Sequence, residues 1–174
     1  IEDYLATLGL VLKVYIDDLT QVTRISQMTQ KTNQFNLTTK RYAEREITAL
    51  IKEEGSTVIS INVQDKYGDN GLTGLAILDN TQSMIGTLLL SCRVLGRNIE
   101  YQFMDVIVGI AKRNKLNELS AAYIKTNKNQ QVVDFYEKCG FIKLNESDGD
   151  SQYSLQVNSY NNQDIQYIGV KDGR

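Results

Sequence analysis

The residues best suited to chemistry lie close together, where an apolar run gives way to a helical pattern. Cys92 ends the run and is followed by Arg93 and by the turn Gly96-Arg97-Asn98. A thiol beside cations and a helix N-terminus can be held as a thiolate that accepts an acyl group and passes it on. A buried structural cysteine is the alternative interpretation, because free cysteines are often buried.

The turn that follows Cys92 is also suited to bind a phosphate group. A helix N-terminus directs free backbone N–H groups and the positive end of the helix dipole at whatever lies beyond it. We therefore predict that Gly96, Arg97 and Asn98 contact a phosphate. Arg93 and Arg97 would bind that phosphate or acidic side chains of a partner. Solvated loop charge is the alternative for both arginines.

The chain contains no histidine, which removes the usual general base and the commonest metal ligand. An attacking thiol suits such a chain, because a thiol pKa near 8.5 leaves a usable thiolate fraction at pH 7. The two cysteines, Cys92 and Cys139, have no C-x-x-C spacing, so we predict neither a metal site nor a disulfide framework. Cys139, beside Gly140, is predicted to pack.

Composition limits the classes of protein to consider. The 174 residues are 41% hydrophobic, enough for one core, and we predict a single domain over residues 1–174. The net charge of −2 argues against a nucleic-acid-binding protein. No signal-like segment and no apolar run of about 20 residues occurs, so we predict a cytoplasmic protein without membrane partners. The start at Ile1 falls within a helical pattern, which suggests a fragment of a longer protein.

One stretch, Leu88 to Lys115, organises the rest of the chain. It begins as an apolar run of strand length, and after Gly96 the apolar residues recur at helical spacing. A buried strand is therefore predicted to lead through a glycine turn into an amphipathic helix. The inward positions of that helix are Ile99, Phe103, Val106, Ile107 and Ile110.

The remaining elements follow from the same periodicities. After a short helical lead-in, the predicted order is β-α-α-β-β-β-α-β-α-β-β. A hairpin is predicted around KYGDNG, because Asp, Asn and Gly tolerate the positive φ angles of its turn. The predicted strands are 10–16, 57–63, 72–78, 84–92, 119–125, 141–144 and 153–157, with a possible last strand at 166–170, and a short helix spans 131–138.

A polar loop, Gln30 to Arg41, joins the first two long helices and contains one large aromatic residue, Phe35. One interpretation is an inter-helix loop held in place by that ring. The other is a loop that covers a substrate, with Asn33, Phe35 and Asn36 in the pocket wall.

The element order and the segment NKNQQVVDFYEKCGF, residues 127–141, resemble the GNAT (Gcn5-related N-acetyltransferase) fold over nearly the whole chain. The resemblance implies an α/β fold with a mixed, mostly antiparallel sheet and about four flanking helices. Strands four and five would splay apart and admit the pantetheine arm of an acyl donor, against Leu90 and Ser91. It also implies that Asn129 contacts pantetheine and that Tyr136 is the general acid. The alternatives are that Asn129 caps a helix and that the ring of Tyr136 only packs.

Three further segments carry a narrower resemblance. TQKTNQFNLTTKRY (29–42), YGDNGLTG (67–74) and LLLSCRVLGR (88–97) resemble the C-terminal GNAT-like domain of FkbH-like proteins. Those proteins join this domain to a HAD-superfamily phosphatase-like domain and resemble enzymes that load a glyceryl unit onto an acyl carrier protein for methoxymalonyl-type polyketide extender units. The resemblance implies a C-terminal module of a HAD-GNAT protein, with carrier-bound phosphopantetheine or CoA as cofactor.

The turn departs from the GNAT pattern R-G-x-G-x-G/A at three positions, where Leu95, Asn98 and Glu100 stand. A carboxylate in the first helical turn would face the pyrophosphate of CoA, and like charges at close range cost on the order of a kcal/mol. We therefore predict weak binding of free CoA in the usual pose and better binding of phosphopantetheine, which has one phosphodiester.

These observations predict an acyltransferase-type domain of an FkbH-like enzyme. It would handle an acyl group on a carrier-protein phosphopantetheine, with backbone N–H groups of the splayed strand holding the oxyanion and Tyr136 or Cys92 handling the proton or acyl group. Two alternatives stay open at this point. One is a non-catalytic module that docks the carrier, and the other is an acetyl-CoA-dependent N-acetyltransferase.

Overall fold

The computed structural model describes residues 1–174. The α-helices are α1 (Glu2–Ala6), α2 (Val22–Lys31), α3 (Glu44–Lys52), α4 (Ile99–Arg113) and α5 (Phe135–Lys138). The strands are β1 (Leu10–Ile16), β2 (Ser56–Asp65), β3 (Gly68–Asp79), β4 (Met84–Leu90), β5 (Glu118–Tyr123), β6 (Ile142–Ser147), β7 (Asp150–Gln156) and β8 (Ile168–Asp172). Single 3-10 turns occupy Leu19–Gln21, Cys92–Val94, Gln130–Val132 and Val157–Ser159.

All eight strands form one sheet in the order β6-β7-β5-β4-β3-β2-β1-β8. The pairs β1–β8 and β4–β5 are parallel, and the other five are antiparallel. The sheet is therefore mixed and mostly antiparallel, as predicted. The strands β2, β3 and β4 form the predicted meander.

Both faces of the central strands are covered, which explains why these strands are apolar almost throughout. Successive side chains alternate between the faces, so Ala76 and Leu78 pack on the side of α4, whereas Leu75 and Ile77 pack on the side of α2 and α3. The larger core cluster lies on the α4 side and contains 35 buried residues. The functional elements are thus fixed to a rigid sheet.

The strand-turn-helix at the centre of the chain forms as predicted. Gly96 and Asn98 both have positive φ angles, 81° and 62°, and α4 begins at the next residue. Its first turn therefore starts from a sharp reversal, which glycine and asparagine tolerate at little cost.

Three of the predicted boundaries that differ from the structure have a clear local cause. The strand predicted to reach Cys92 ends at Leu90, because the backbone turns into the 3-10 turn. The hairpin turn is shorter than predicted, since residues 68–71 belong to β3 and shifts in register near Asn62 accommodate them. The helix predicted over 131–138 is split, because Asp134 (φ −112°, ψ 12°) leaves the helical conformation.

The longest helix, α4, has 15 residues. No helix of this protein combines the length and the hydropathy of a membrane-crossing segment.

Candidate functional site

The strands β4 and β5 part soon after they begin. They are paired only where Met84 faces Ser120 and Ile85 faces Ala121, and their C-terminal halves open a wedge. The divergence confirms the splay of strands four and five. It leaves the C-terminal edge of β4 without β5 as its hydrogen-bonding neighbour.

A segment of the chain itself, Phe35–Leu37, fills this wedge. Its first carbonyl oxygen accepts a hydrogen bond from the N–H of Leu90 at 3.0 Å, and its last N–H donates to the carbonyl oxygen of Leu88 at 3.1 Å. On the other side, its last carbonyl oxygen accepts from the N–H of Ile124 at 2.8 Å. The segment therefore takes the place of a short strand between β4 and β5.

The filled wedge corrects part of the predicted mechanism. We predicted that an acyl arm enters here and that backbone N–H groups of β4 hold the oxyanion. The N–H of Leu90 is already donated to Phe35, so it is not free for that role. An arm bonded to this edge of β4 would have to displace the segment Phe35–Leu37.

Asn129 holds the filled wedge together and is fully buried. Its Nδ2 donates to the carbonyl oxygens of Asn36 at 3.0 Å and Ile124 at 2.9 Å. Its Oδ1 accepts from the N–H of Thr126 at 2.8 Å and from the hydroxyl of Tyr123 at 3.1 Å. Its amide is therefore used internally, and the binding of pantetheine by Asn129 stays a prediction.

Asn36 is likewise a structural residue. Its side chain is fully buried, donates to the carbonyl oxygen of Thr32 at 3.1 Å and accepts from the N–H of Thr39 at 2.8 Å. Its amide therefore shapes the loop, and the binding of substrate by Asn36 stays a prediction. The structure places Asn33 and Phe35, the other two loop residues, in the wall of the cleft described below.

The turn at Gly96 is held by contacts that the phosphate prediction did not include. The guanidinium of Arg97 pairs with the Asp65 carboxylate at 3.1 Å, and Nδ2 of Asn98 donates to the hydroxyl of Tyr167 at 2.6 Å. One N–H of the Arg97 guanidinium is therefore used by Asp65, and the binding of phosphate by Arg97 stays a prediction. No hydrogen bond to a protein group is donated by the backbone N–H groups of Gly96, Arg97 and Asn98.

Glu100 lines a groove of about 210 Å³ between α4 and α5, together with Phe35, Tyr101 and Lys138. Its Oε2 is buried and has no hydrogen-bond partner. Burial raises the pKa of Glu100 above its usual value, against the opposing effects of its own N–H and of Lys138. Weak binding of free CoA stays a prediction, and it rests on the repulsion between this carboxylate and a pyrophosphate at the same helix end.

Replacing Glu100 with glutamine should stabilise the protein at neutral pH. Burial raises the pKa of Glu100 in the folded state above the ordinary value of 4.5, so the charged carboxylate destabilises the folded state. The stability contributed by the protonated form is fully present below pH 4.5 and is lost as the pH rises through the folded pKa. Urea unfolding should show Glu100→Gln about 1 kcal/mol more stable than wild type at pH 7, with the difference gone near pH 3.5.

The matched control for this experiment is Glu118→Gln, which removes an exposed carboxylate from β5. It should change the free energy of unfolding little at either pH. Equal stability of wild type and Glu100→Gln at pH 7 would contradict the prediction, because it would mean that the carboxylate is well solvated or paired.

Tyr136 is almost completely buried, and its ring packs against Phe135, Phe141 and Tyr153 with centroids 4.9 to 5.9 Å apart. Burial raises its pKa well above the usual value. It does not line the cleft that contains Cys92. The ring is therefore packed in the core, and the role of Tyr136 as the general acid stays a prediction.

The largest cleft lies at the C-terminal end of β4, with a volume of about 780 Å³. Leu90, Ser91, Cys92 and Arg93 form one wall, and Cys92 is exposed. The Ser91 hydroxyl accepts hydrogen bonds from the N–H and from Nε of Arg93, at 3.4 and 3.2 Å. The thiol is thus accessible, and the alternative of a buried Cys92 is wrong. The other cysteine, Cys139, is buried as predicted.

The opposite wall of the cleft comes from α2, which sequence reasoning missed. Arg24, Gln27, Met28 and Lys31 follow the spacing i, i+3, i+4, i+7, so they share one face of the helix. The signal was present in the sequence as two cations seven residues apart, Arg24 and Lys31. Lys128 completes the cleft, which has four cations and no carboxylate in its wall.

Comparisons with solved structures fit this architecture. The spermidine N-acetyltransferase from Vibrio cholerae, solved in complex with CoA and spermine, has a TM-score of 0.61 and 13% identity, over 86% of this chain and 97% of that one. The ribosomal-protein-S18-alanine N-acetyltransferase from Escherichia coli has a TM-score of 0.63 and 10% identity, over 87% and 97%. A domain from Methanocaldococcus jannaschii has a TM-score of 0.60 and 14% identity, over 83% and 99%.

No family model matches the chain, and no curated protein matches it. At these identities, likeness to solved structures establishes a shared architecture. The splayed β4 and β5, the meander before them and the glycine turn into α4 are the parts of that architecture that surround the cleft. The chain therefore has the GNAT fold.

Proposed function

We propose that this domain is an acyltransferase-type module of an FkbH-like enzyme. It handles a glyceryl or similar acyl group carried on the phosphopantetheine of an acyl carrier protein, for methoxymalonyl-type extender units. The cleft at Cys92 is the site of this chemistry. A HAD-superfamily phosphatase-like domain in the full-length protein is the second partner that we propose.

The observation that carries the proposal is the meeting of three distant segments at one cleft. The segments 29–42, 67–74 and 88–97, which resemble FkbH-like proteins, contribute Phe35, Leu72 and Cys92 respectively to its wall. Residues far apart in sequence that meet around an exposed thiol are expected at a functional cleft rather than in a packed core.

The chemistry available at this cleft is thiol exchange. The sulfur of Cys92 attacks the carbonyl carbon of an activated acyl group, a C–S bond forms, and the bond to the leaving group breaks. The thiol of the phosphopantetheine arm then attacks the acyl-cysteine, and the sulfur of Cys92 leaves. The proton of each attacking thiol passes to solvent, because no histidine is present to accept it.

The cleft around Cys92 is lined by positive charge. Arg93 follows it directly, three further cations line the cleft, and the wall contains no aspartate or glutamate. The same charges favour the anionic tetrahedral intermediate that forms when the sulfur attacks.

Mass spectrometry tests the proposal directly. The domain is incubated with carrier protein whose phosphopantetheine carries an acetyl or glyceryl thioester, and its intact mass is measured. We expect a mass increase of one acyl group that maps to the peptide containing Cys92. A domain that binds the carrier but gains no acyl group and transfers none would contradict the proposal.

That outcome would support the second candidate function, a non-catalytic module that docks the carrier protein. One observation favours it, because the segment Phe35–Leu37 occupies the wedge where a GNAT enzyme would admit the acyl arm. Separate measurements of carrier binding and of acyl transfer distinguish the two candidates, because a docking module only needs to bind the carrier.

An acetyl-CoA-dependent N-acetyltransferase is the third candidate. The filled wedge and the unpaired Glu100 carboxylate both disfavour CoA in the usual pose. Calorimetric titration with acetyl-CoA decides the question, and micromolar binding would favour this candidate over ours.

A further inference from the structure

The four cations of the cleft are unpaired. We refer to Arg24, Lys31, Arg93 and Lys128 as the cleft cations. None of them has a carboxylate oxygen within 4.0 Å, although Arg97, Lys138, Lys143 and Arg174 elsewhere in the chain do. In a chain of net charge −2, this leaves a local excess of positive charge. Like charges that share a cleft repel one another, so an anion bound there gains their combined attraction.

The two cations on α2 are held at a defined spacing. Arg24 and Lys31 are seven residues apart, which is about two helical turns and about 10 Å along the axis, on the same face. Gln27 lies between them on that face and adds an uncharged hydrogen-bonding group. The helix therefore presents a row of donors to the cleft.

The guanidinium of Arg24 lies against the backbone of β3. A Cβ atom built on Gly71 would lie 2.9 Å from Nη2 of Arg24, and Gly71 has a φ of +72°. The absence of a side chain at residue 71 thus leaves room for the guanidinium beside the strand. A guanidinium offers paired N–H donors that match two oxygens of a phosphate.

We propose that the cleft cations bind a phosphate group, with Arg24 and Lys31 as the principal donors on α2. The inference rests on the proposed function, which supplies two sources of phosphate. One is the phosphodiester of the phosphopantetheine arm, and the other is an acyl phosphate that serves as acyl donor. In either case the phosphate binds across the cleft from Cys92 and not at the N-terminus of α4, where Arg97 pairs with Asp65 and Glu100 is unpaired.

Calorimetric titration of the full chain with 4′-phosphopantetheine and with pantetheine measures the contribution of the phosphate. We expect 4′-phosphopantetheine to bind at least about tenfold more tightly, with an affinity that falls as the salt concentration rises. Titrations with acetyl phosphate and with phosphopantetheinylated carrier protein then distinguish the two sources. The ligand whose affinity falls in Arg24→Ala carries the phosphate that the cleft cations bind.

The variants Arg24→Ala and Lys31→Ala should each weaken phosphopantetheine binding about tenfold or more. The matched control is the double variant Arg45→Ala/Lys52→Ala, which removes two exposed charges from α3, outside the cleft. It should change the affinity less than about twofold. Thermal unfolding of every variant checks that the fold is retained.

Equal affinity for pantetheine and phosphopantetheine, or equal weakening by the α2 and α3 variants, would overturn the inference. The acyl adduct on Cys92 is measured separately in the wild-type protein. Acylation without a phosphate preference would overturn the phosphate site and leave the proposed function intact. A phosphate preference without acylation would support the phosphate site and contradict the proposed function.

Discussion

Replacing Cys92 with alanine should abolish the acyl adduct and lower acyl transfer to the carrier on the order of 1,000-fold or more. The reason is that no other nucleophilic sulfur lines the cleft, so the covalent route is lost entirely. Intact-mass measurement follows the adduct, and a gel assay with labelled acyl carrier follows transfer. The free energy of unfolding should change by less than about 0.5 kcal/mol, because Cys92 is exposed.

Two control variants test whether the loss is specific. Cys139→Ala removes the other thiol, which is buried and whose pKa burial raises above its usual value, so the adduct should persist. Tyr136→Phe removes a hydroxyl from a buried residue that does not line the cleft at Cys92, so transfer should also persist. Transfer that survives in Cys92→Ala but is lost in Tyr136→Phe would restore the general-acid mechanism and contradict ours.

The central strand-turn-helix was predictable because its signals are local. The apolar run, the glycine and the change of period all lie within the stretch from Leu88 to Lys115, and each acts on its neighbours in sequence. The structure places the reversal at Gly96 and Asn98 and starts α4 at Ile99. Local backbone preference and side-chain burial therefore agree at this point of the fold.

The filled wedge was not predictable from the sequence. The segment Phe35–Leu37 reads as a polar loop with one aromatic ring, and its partners Leu88 and Leu90 lie more than 50 residues away. Only the assembled sheet shows that β4 lacks β5 at this edge, so that another backbone has to satisfy its N–H and C=O groups. Such pairing depends on tertiary structure and leaves no local pattern.

The distinction between local signals and tertiary contacts also applies to individual side chains. Asn129 and Tyr136 matched a family pattern, but burial decides what each does, and burial depends on elements far away in sequence. Arg97 was read as a free cation, although Asp65, 32 residues earlier, pairs with it. For Cys92 the sequence left a buried and an exposed thiol open, and the structure exposes it because residues at a strand end project beyond the sheet.

Replacing Asn129 with alanine should destabilise the protein by about 3 kcal/mol or more. The change removes four hydrogen bonds, leaves the carbonyl oxygen of Asn36 buried without its partner, and leaves the hydroxyl of Tyr123 only its longer bond to the backbone carbonyl of residue 129, at 3.4 Å. It also removes the side-chain bond that ties Phe35–Leu37 to the end of β5, so the segment is held by its backbone hydrogen bonds alone. Urea unfolding measures the loss, and hydrogen exchange at the amides of Leu37 and Leu90 shows whether the wedge opens.

Asn127→Ala is the matched control, because Asn127 lies in the same loop, is exposed and makes no hydrogen bond through its side chain. It should change the free energy of unfolding by less than about 0.5 kcal/mol. If Asn129→Ala were as stable as Asn127→Ala but bound phosphopantetheine less tightly, Asn129 would be a ligand-binding residue after all. If Asn129→Ala instead lost stability and exchanged its Leu37 and Leu90 amides faster, the wedge would be a closed part of the fold, and the cleft at Cys92 would be the route left for the acyl arm.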